Sequence, residues 1–219
     1  MYISNSLEIE LTTKCTLGCS ACPRNDPKEN REDWDVGHID LQLVKNIIDQ
    51  DHYKSLLFVG CYGDPIYHPD FIEICHYAIA REKRLLIHTN GSYKKQKWWD
   101  ELAKADWKKY HNFTFSVDGL EDTNGIYRER MQWSSIIAGM QAMSKTNATI
   151  EWKMLVFPYN IHQVPEARRL AESMGIRFTP VTSERGHGAY KHETPEIFMW
   201  KNNLEGEALG LSGVPGLPQ

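Results

Sequence analysis

Short apolar runs of strand length alternate with longer stretches of helical spacing along most of the chain. The strand-length runs are residues 7–12, 55–60, 84–90, 112–118, 149–157 and 176–181. In the stretches between them, apolar residues recur at intervals of three and four, which is typical of a helix with one buried face. Strands that alternate with helices form right-handed βαβ units and therefore a parallel sheet. The pattern predicts a fold of the α/β class.

Five helical stripes follow from this spacing. They consist of Leu43, Val44, Ile47 and Ile48; Phe71, Ile74, Cys75, Ala78 and Ile79; Trp98, Trp99, Leu102 and Ala103; Ile136, Ile137 and Met140; and Val164, Ala167, Leu170, Ala171 and Met174. Asp40 and Asp70 stand where the N-caps of the first two helices are expected. Gly175 follows the last stripe, as a C-terminal glycine cap does.

Polar residues occupy one face of several predicted strands. In the fourth strand, apolar and polar residues alternate: Phe113, Phe115 and Val117 against Thr114, Ser116 and Asp118. Parallel sheets that are covered on both faces normally show continuous apolar runs. A polar face therefore favours a curved, partly closed barrel around a binding site over an open doubly wound sheet. The alternative is that this face holds structural ion pairs, such as Glu10 with Lys153, and the two interpretations are compatible.

Composition and charge narrow the possible functions. The chain has 219 residues, of which 41% are hydrophobic and 25% charged, which is ordinary for a globular protein. We expect one domain over residues 1–204 and a flexible tail rich in Gly, Pro and Leu over residues 205–219. The net charge of −4 does not favour nucleic acid as a partner. Because neither a signal-peptide core nor an apolar run of about 18 residues is present, we expect a cytoplasmic protein without a membrane partner.

The cysteines give the strongest chemical signal. The chain has five, and an odd number in a reducing compartment indicates metal or redox chemistry rather than disulfides. Cys15, Cys19 and Cys22 have the spacing C-x3-C-x2-C directly after the first predicted strand. Three thiolates can ligate three irons of a cubane and leave the fourth iron open to a substrate or cofactor. Gly18 allows the backbone to bend so that the thiolates converge.

Two other metal sites remain as alternatives for this triplet. A structural zinc site needs four ligands, and a second Cys or His pair is not evident in the sequence. A cluster with four cysteine ligands requires Cys61, which can take part only if the first and second strands are neighbours. Cys75 lies on an apolar helical stripe and is predicted to be a core thiol. Because two further thiols cannot hold another cubane, we predict one cluster of about four irons per chain.

With this triplet after its first strand, the chain resembles the radical S-adenosylmethionine (SAM) superfamily from about residue 7 to residue 181. The resemblance implies a partial (β/α)6 barrel with a [4Fe–4S] cluster on the three cysteines and SAM on the fourth iron. One electron then cleaves SAM to a 5′-deoxyadenosyl radical, which takes hydrogen from a small-molecule or peptide substrate. A flavodoxin or ferredoxin is the implied electron donor. The closest subgroup often carries a C-terminal SPASM-type auxiliary-cluster domain, and we expect this chain to be without that domain.

Further motifs at strand ends resemble the same family. Tyr62-Gly63-Asp64-Pro65 is similar to the Gly-Gly-Glu-Pro turn that holds the SAM ammonium, with Tyr and Asp as departures. His88-Thr89-Asn90-Gly91 and Ser116-Val117-Asp118-Gly119 resemble segments beside the methionine and ribose. The resemblance also implies adenosine contacts by Ala21, Asn160 and Val181. For each strand-end residue, an ordinary structural cap is the alternative interpretation.

The functional hypotheses come from three classes. The first is a radical SAM enzyme, the second a non-catalytic iron–sulfur electron carrier or sensor, and the third a zinc-stabilised binding module. His187, in a polar loop, is more simply interpreted as a solvated histidine than as a proton donor to the substrate. Cys61 has a packing role or lies near the cluster. Production of 5′-deoxyadenosine separates the first hypothesis from the other two.

Overall fold

One parallel sheet of six strands organises the molecule, and the computed structural model describes residues 5–25 and 36–182. The strands are β1 (Ser6–Ile9), β2 (Ser55–Phe58), β3 (Arg84–Thr89), β4 (Asn112–Ser116), β5 (Thr149–Val156) and β6 (Arg177–Thr182). Each strand pairs with the next one along the chain. In the part of the chain that the structure describes, β1 and β6 are the edges, so the sheet is open. The prediction of an α/β fold with a partial barrel is confirmed.

Six helices connect the strands. They are α1 (Leu41–Ile48), α2 (Phe71–Ala80), α3 (Gln96–Leu102), α4 (Asn124–Tyr127), α5 (Trp133–Met143) and α6 (Val164–Ser173). The spacing predicted all of them except α4, which at four residues is too short to show a helical period. No helix among the described residues is long and apolar enough to cross a membrane. The predicted tail and His187 lie outside the described residues.

The helix ends follow the predicted caps. The Leu43 N–H donates to Oδ1 of Asp40 at 2.9 Å, which begins α1. Asp70 takes the N-cap position of α2, where its own N–H donates to Nδ1 of His68. Gly175 adopts a φ of +70° directly after α6, a conformation that glycine tolerates. The prediction for Leu43 was wrong, because its side chain is 52% exposed while Val44 and Ile48 carry the buried stripe.

The core lies between the sheet and the helices, and aromatic rings fill much of it. Trp99 on α3 packs against Phe113 and Phe115 on β4, with ring centroids 6.2 and 5.6 Å apart. Gly139 on α5 allows that helix to approach the same rings. A Cβ built on Gly139 would lie 2.6 Å from Cε2 of Trp99 and 3.0 Å from Cε1 of Phe115. The absence of a side chain therefore sets how closely α5 packs on the core.

Gly139→Ala is expected to destabilise the protein by about 1–3 kcal/mol, because the added methyl group forces the Trp99 ring or the helix to shift. Thermal or urea unfolding measures this. Gly125→Ala in α4 is the matched control, since a Cβ there meets only Cε of Met131 at 3.9 Å. It should be neutral or slightly stabilising. Equal losses of stability in both variants would show that the lack of space around Gly139 does not cause the destabilisation.

The polar face of the sheet holds an ion pair near β5 and β6. Glu151 lies 3.1 Å from Nη2 of Arg177 and accepts hydrogen bonds from Thr114 and Thr179. This supports the structural interpretation for that part of the face. The expected pair of Glu10 with Lys153 is corrected, because Glu10 instead accepts the N–H groups of Tyr62 and Gly63, as described below.

Candidate active site

A cavity of about 300 Å³ opens at the carboxyl ends of the strands, where parallel α/β sheets bind their ligands. Its volume is at the lower end of the range for small-molecule sites. Ten of the residues that the sequence singled out line it: Cys15, Cys19, Cys22, Tyr62, Gly63, Asp64, His88, Thr89, Asn90 and Ser116. These residues come from four separate segments of the chain. The fold thus brings the predicted cysteines and most of the predicted strand-end residues to one place.

The loop that carries the three cysteines is anchored by hydrogen bonds along its length. Gly18 N–H donates to the Glu129 carbonyl at 3.1 Å, and Asp64 N–H donates to the Lys14 carbonyl at 2.9 Å. Arg24 Nη1 donates to the Cys15 carbonyl at 2.5 Å. The Thr16 and Tyr67 hydroxyls are hydrogen-bonded at 2.6 Å. These contacts join the loop to β2, to its own following turn and to the segment after α4.

The three thiols differ in how deeply they are buried. Cys19 is buried, while Cys15 and Cys22 are partly exposed to the cavity. Burial raises the pKa of Cys19 to about 11, although the nearby Arg128 acts in the opposite direction. Burial, and then the Asp64 carboxylate, raise the pKa of Cys15. Burial thus disfavours the thiolate form of both groups.

Asp64 joins the end of β2 to the end of β3. Its Oδ1 accepts from the Thr89 hydroxyl at 2.8 Å and from the Ile66 N–H at 3.3 Å, and its Oδ2 accepts from the Asn90 N–H at 2.6 Å. The residue is 5% exposed, and its burial raises the pKa of the carboxyl group. Asn90 in turn directs its Nδ2 at Sγ of Cys15, 3.6 Å away. Asn90 thus links the Asp64 carboxylate to Cys15 of the triplet.

The turn before Asp64 is pressed against the end of β1. Glu10 Oε1 accepts the N–H groups of Tyr62 and Gly63 at 2.6 and 2.9 Å. A Cβ on Gly63 would lie 1.8 Å from the Thr12 carbonyl oxygen, so no other residue fits in this backbone position. The departure from the family motif at Tyr62 is tolerated because the side chain at that position is only partly buried.

Two further predicted residues face the cavity from β3 and β4. His88 is half-buried, and its burial, followed by the charge of Lys153, lowers the pKa of its imidazole. It therefore presents a neutral ring that can donate or accept a hydrogen bond. Ser116 is also half-buried and contributes a hydroxyl to the same wall.

Four predicted cofactor contacts do not line the cavity. Asp118 is fully buried and pairs with Arg128, and Asn160 donates to the carbonyls of Asp118 and Leu155 at 2.8 and 2.9 Å. Val181 pairs with Leu155 in the sheet, and Ala21 packs in a small apolar cluster with the cysteine loop. The contacts of the Asp118 and Asn160 side chains within the protein fit the alternative interpretation, in which strand-end residues are ordinary structural caps.

Several residues of the cavity wall were not predicted as site residues. Arg128 and Tyr127 come from the end of α4, and Leu17, Val59 and Leu155 add apolar surface. The run Ile126-Tyr127-Arg128 resembles the family, but no periodicity marks it as part of a site. Cys61 is exposed on the wall, and its carbonyl lies 3.9 Å from Sγ of Cys22. Because β1 and β2 are neighbours, the condition for Cys61 as a fourth ligand is met.

The donor set fits an iron–sulfur cluster. Three thiols share one cavity, and an amide N–H group and a guanidinium stand beside them. Among the described residues, no three His, Cys, Asp or Glu side chains converge as a single metal ion requires. A cubane places different demands on its ligands, since each thiolate binds a separate iron.

Curated proteins with similar sequences come from several organisms. Mycofactocin maturase MftC of Mycobacterium tuberculosis is 26% identical over 169 residues, which are 76% of this chain and 41% of that protein. The tungsten-containing aldehyde ferredoxin oxidoreductase cofactor-modifying protein of Pyrococcus furiosus is 25% identical over 185 residues, covering 78% of this chain and 49% of that protein. The chain thus spans about half the length of these curated relatives.

Solved structures share the fold of this chain. Streptococcus suis SuiB, solved with S-adenosylmethionine, superposes with a TM-score of 0.65 at 17% identity, covering 90% of this chain and 46% of SuiB. The profile of the Radical SAM superfamily matches residues 9–171, which include all three cysteines, the last residue of β1 and the whole of β2 to β5. The chain therefore belongs to the radical SAM superfamily, a family of enzymes that use a [4Fe–4S] cluster and SAM.

Proposed function

We propose that the chain holds one [4Fe–4S] cluster on Cys15, Cys19 and Cys22, binds SAM beside it, and abstracts hydrogen from a substrate. The observation that carries this proposal is the single cavity in which the three thiols meet polar groups from the ends of β2, β3 and β4. When bound, the reduced cluster supplies one electron that breaks a C–S bond of SAM, giving methionine and a 5′-deoxyadenosyl radical that leaves as 5′-deoxyadenosine after taking a hydrogen atom.

The residues of the chain would orient SAM in this cavity. Oδ2 of Asp64 accepts one hydrogen bond in the structure and has lone-pair capacity for another, which suits the SAM ammonium. Gly63 and Tyr62 bring backbone close to the same place. His88, Thr89, Asn90 and Ser116 would surround the methionine and ribose from β3 and β4. Contacts of Ala21, Asp118, Asn160 and Val181 with the adenosine remain predictions from the family.

For the substrate, we propose a peptide, with a small molecule as the second class. MftC is named a maturase, and SuiB has been solved with its precursor peptide SuiA. The cavity lies at the strand ends of an open sheet, which is where parallel α/β sheets bind their ligands. A flavodoxin or ferredoxin is the proposed electron donor.

Anaerobic reconstitution with iron and sulfide, followed by dithionite and SAM, tests the proposal. We expect 5′-deoxyadenosine and methionine in equal amounts, measured by chromatography and mass spectrometry. A loaded cluster that yields no 5′-deoxyadenosine would favour the electron-carrier alternative. A chain that takes up no iron but binds zinc would favour the binding module.

Iron and sulfide analysis of the reconstituted chain is expected to give about four of each per chain. Only Cys61 and Cys75 remain outside the triplet, and two thiols cannot hold a second cubane. Cys61→Ala should retain the cluster, because the thiol is exposed and three closer ligands suffice. About eight irons per chain, or loss of iron in Cys61→Ala, would replace this assignment with a larger or four-cysteine cluster.

A further inference from the structure

A buried ion pair lies directly behind the cysteine loop. Nε of Arg128 is 2.7 Å from Oδ2 of Asp118, and the side chains are 15% and 0% exposed. The Nε–H group is not directed at this oxygen, so the contact is ionic rather than a well-aligned hydrogen bond. Arg128 lines the cavity beside the cysteines, whereas Asp118 lies behind it. The cation is therefore the nearer charge of the two to the thiols.

Both partners of the pair are fixed in position. The Leu155 N–H donates to Oδ1 of Asp118 at 2.7 Å, and Asp118 N–H donates to Oδ1 of Asn124 at 2.7 Å. Arg128 N–H donates to the Asn124 carbonyl at 3.0 Å. Asn124 thus holds both residues of the pair, because its side chain binds Asp118 and its carbonyl binds Arg128. Neither charge can move far from the cysteine loop without disrupting α4.

The segment that carries Arg128 also packs on the cysteine loop itself. The Gly18 N–H donates to the Glu129 carbonyl at 3.1 Å. Tyr127 belongs to one apolar cluster with Leu17 and Cys19. The cation of the pair therefore belongs to a segment that packs directly on the cysteine loop.

We infer that Arg128, partly offset by Asp118, sets the reduction potential of a cluster bound to Cys15, Cys19 and Cys22. This rests on the proposed function, which places the cluster on these thiols. A cubane on three thiolates is anionic and gains a further negative charge on reduction. A fixed cation in a site of low dielectric stabilises the reduced form, and a fixed anion opposes it. Arg128 makes the cluster easier to reduce, and Asp118 limits that effect.

An EPR-monitored redox titration of the reconstituted protein without SAM tests this inference. Arg128→Met should move the midpoint potential to a more negative value, and Asp118→Asn should move it to a more positive value. Arg128→Lys, which keeps the charge, should remain close to the wild type. Opposite shifts from neighbouring residues distinguish the electrostatic effect from general loosening, which would move all variants in one direction.

Two further variants make the test robust. The double variant Arg128→Met/Asp118→Asn leaves no charge of the pair buried alone, so it should fold even if Arg128→Met does not. Its potential should still fall, though less than in the single variant, because Arg128 is the nearer charge. Arg130→Met removes an exposed arginine two residues away and should give a smaller shift that decreases further at high salt. The shifts from Arg128 and Asp118 should persist at high salt.

The outcomes separate the inference from the function on which it rests. A wild-type protein that assembles no cluster overturns both. A cluster that assembles and cleaves SAM, but has the same potential in the Arg128 and Asp118 variants as in the wild type, overturns the inference alone. Shifts of the same sign in both single variants also overturn it.

Discussion

Replacement of Cys15, Cys19 or Cys22 by alanine is expected to abolish SAM cleavage and to reduce the iron content strongly. Each thiol faces the same cavity, and each would hold a different iron of the cubane. Because no spare thiolate occupies the same position, the cubane loses a ligand that the loop cannot replace. The measurement is 5′-deoxyadenosine formed per reconstituted chain, together with iron and sulfide analysis.

Cys75→Ala is the matched control for these three variants. Its thiol is fully buried on α2 within the core, away from the cavity, and burial keeps its pKa well above the usual value. Loss of the sulfur should cost about 1 kcal/mol of stability and leave the iron content unchanged. Wild-type turnover in any one of the triplet variants would show that its cysteine is not a ligand.

Asp64→Ala should both destabilise the protein and weaken SAM binding. Three donors, from Ile66, Thr89 and Asn90, lose their acceptor inside a buried site. Each unpaired buried donor costs about 1–3 kcal/mol of stability. Part of this loss is offset, because the variant no longer has to bury a carboxylate. We expect a net loss of about 2–3 kcal/mol in the free energy of unfolding. If the same carboxylate also holds the SAM ammonium, affinity for SAM should fall by about tenfold or more.

Asp64→Asn separates the two effects. Asparagine keeps one oxygen that can accept from Thr89 and Ile66, so unfolding should show partial recovery of stability. It carries no negative charge for an ammonium, so the SAM affinity should remain low. Thermal unfolding and a SAM titration on the reconstituted protein measure these two quantities. Recovery of SAM affinity together with stability would limit Asp64 to bracing the turn.

The presence of six strands in a parallel sheet could be predicted from the sequence, because every strand is short, apolar on one face and separated from the next by a helical stretch. Whether the first and second strands are neighbours was left open. The first five predicted strands extend beyond the observed strands at their carboxyl ends. Asn90 and Asp118 illustrate the reason, since both follow a strand in sequence but leave the ladder and bond to side chains or backbone from other segments. The local sequence pattern identifies a polar residue at the end of a strand, but it does not identify the group with which that residue forms a hydrogen bond.

The site was predictable as far as its motifs are local in sequence. Cys15, Cys19 and Cys22 lie within one loop, and their spacing together with the strand before them indicated metal or redox chemistry. Arg128 was missed because a four-residue helix has no period, and its role depends on contacts with Asp118 and the cysteine loop. Glu10 was assigned to the wrong partner. The alternation of polar and apolar residues shows on which face of the strand a side chain lies, but it does not show which group on that face is nearest to it.

The strands occur in the sheet in the order in which they occur in the chain, and this has a consequence for biosynthesis. Each newly made strand pairs with the one made just before it, so the sheet can grow from its first edge as the ribosome extends the chain. The cavity wall, however, runs from Cys15 after β1 to Leu155 on β5. Five of the six strands must therefore be synthesised before the cysteines are enclosed, and until then their thiols are open to oxidation. We therefore expect iron insertion to follow the synthesis of β5.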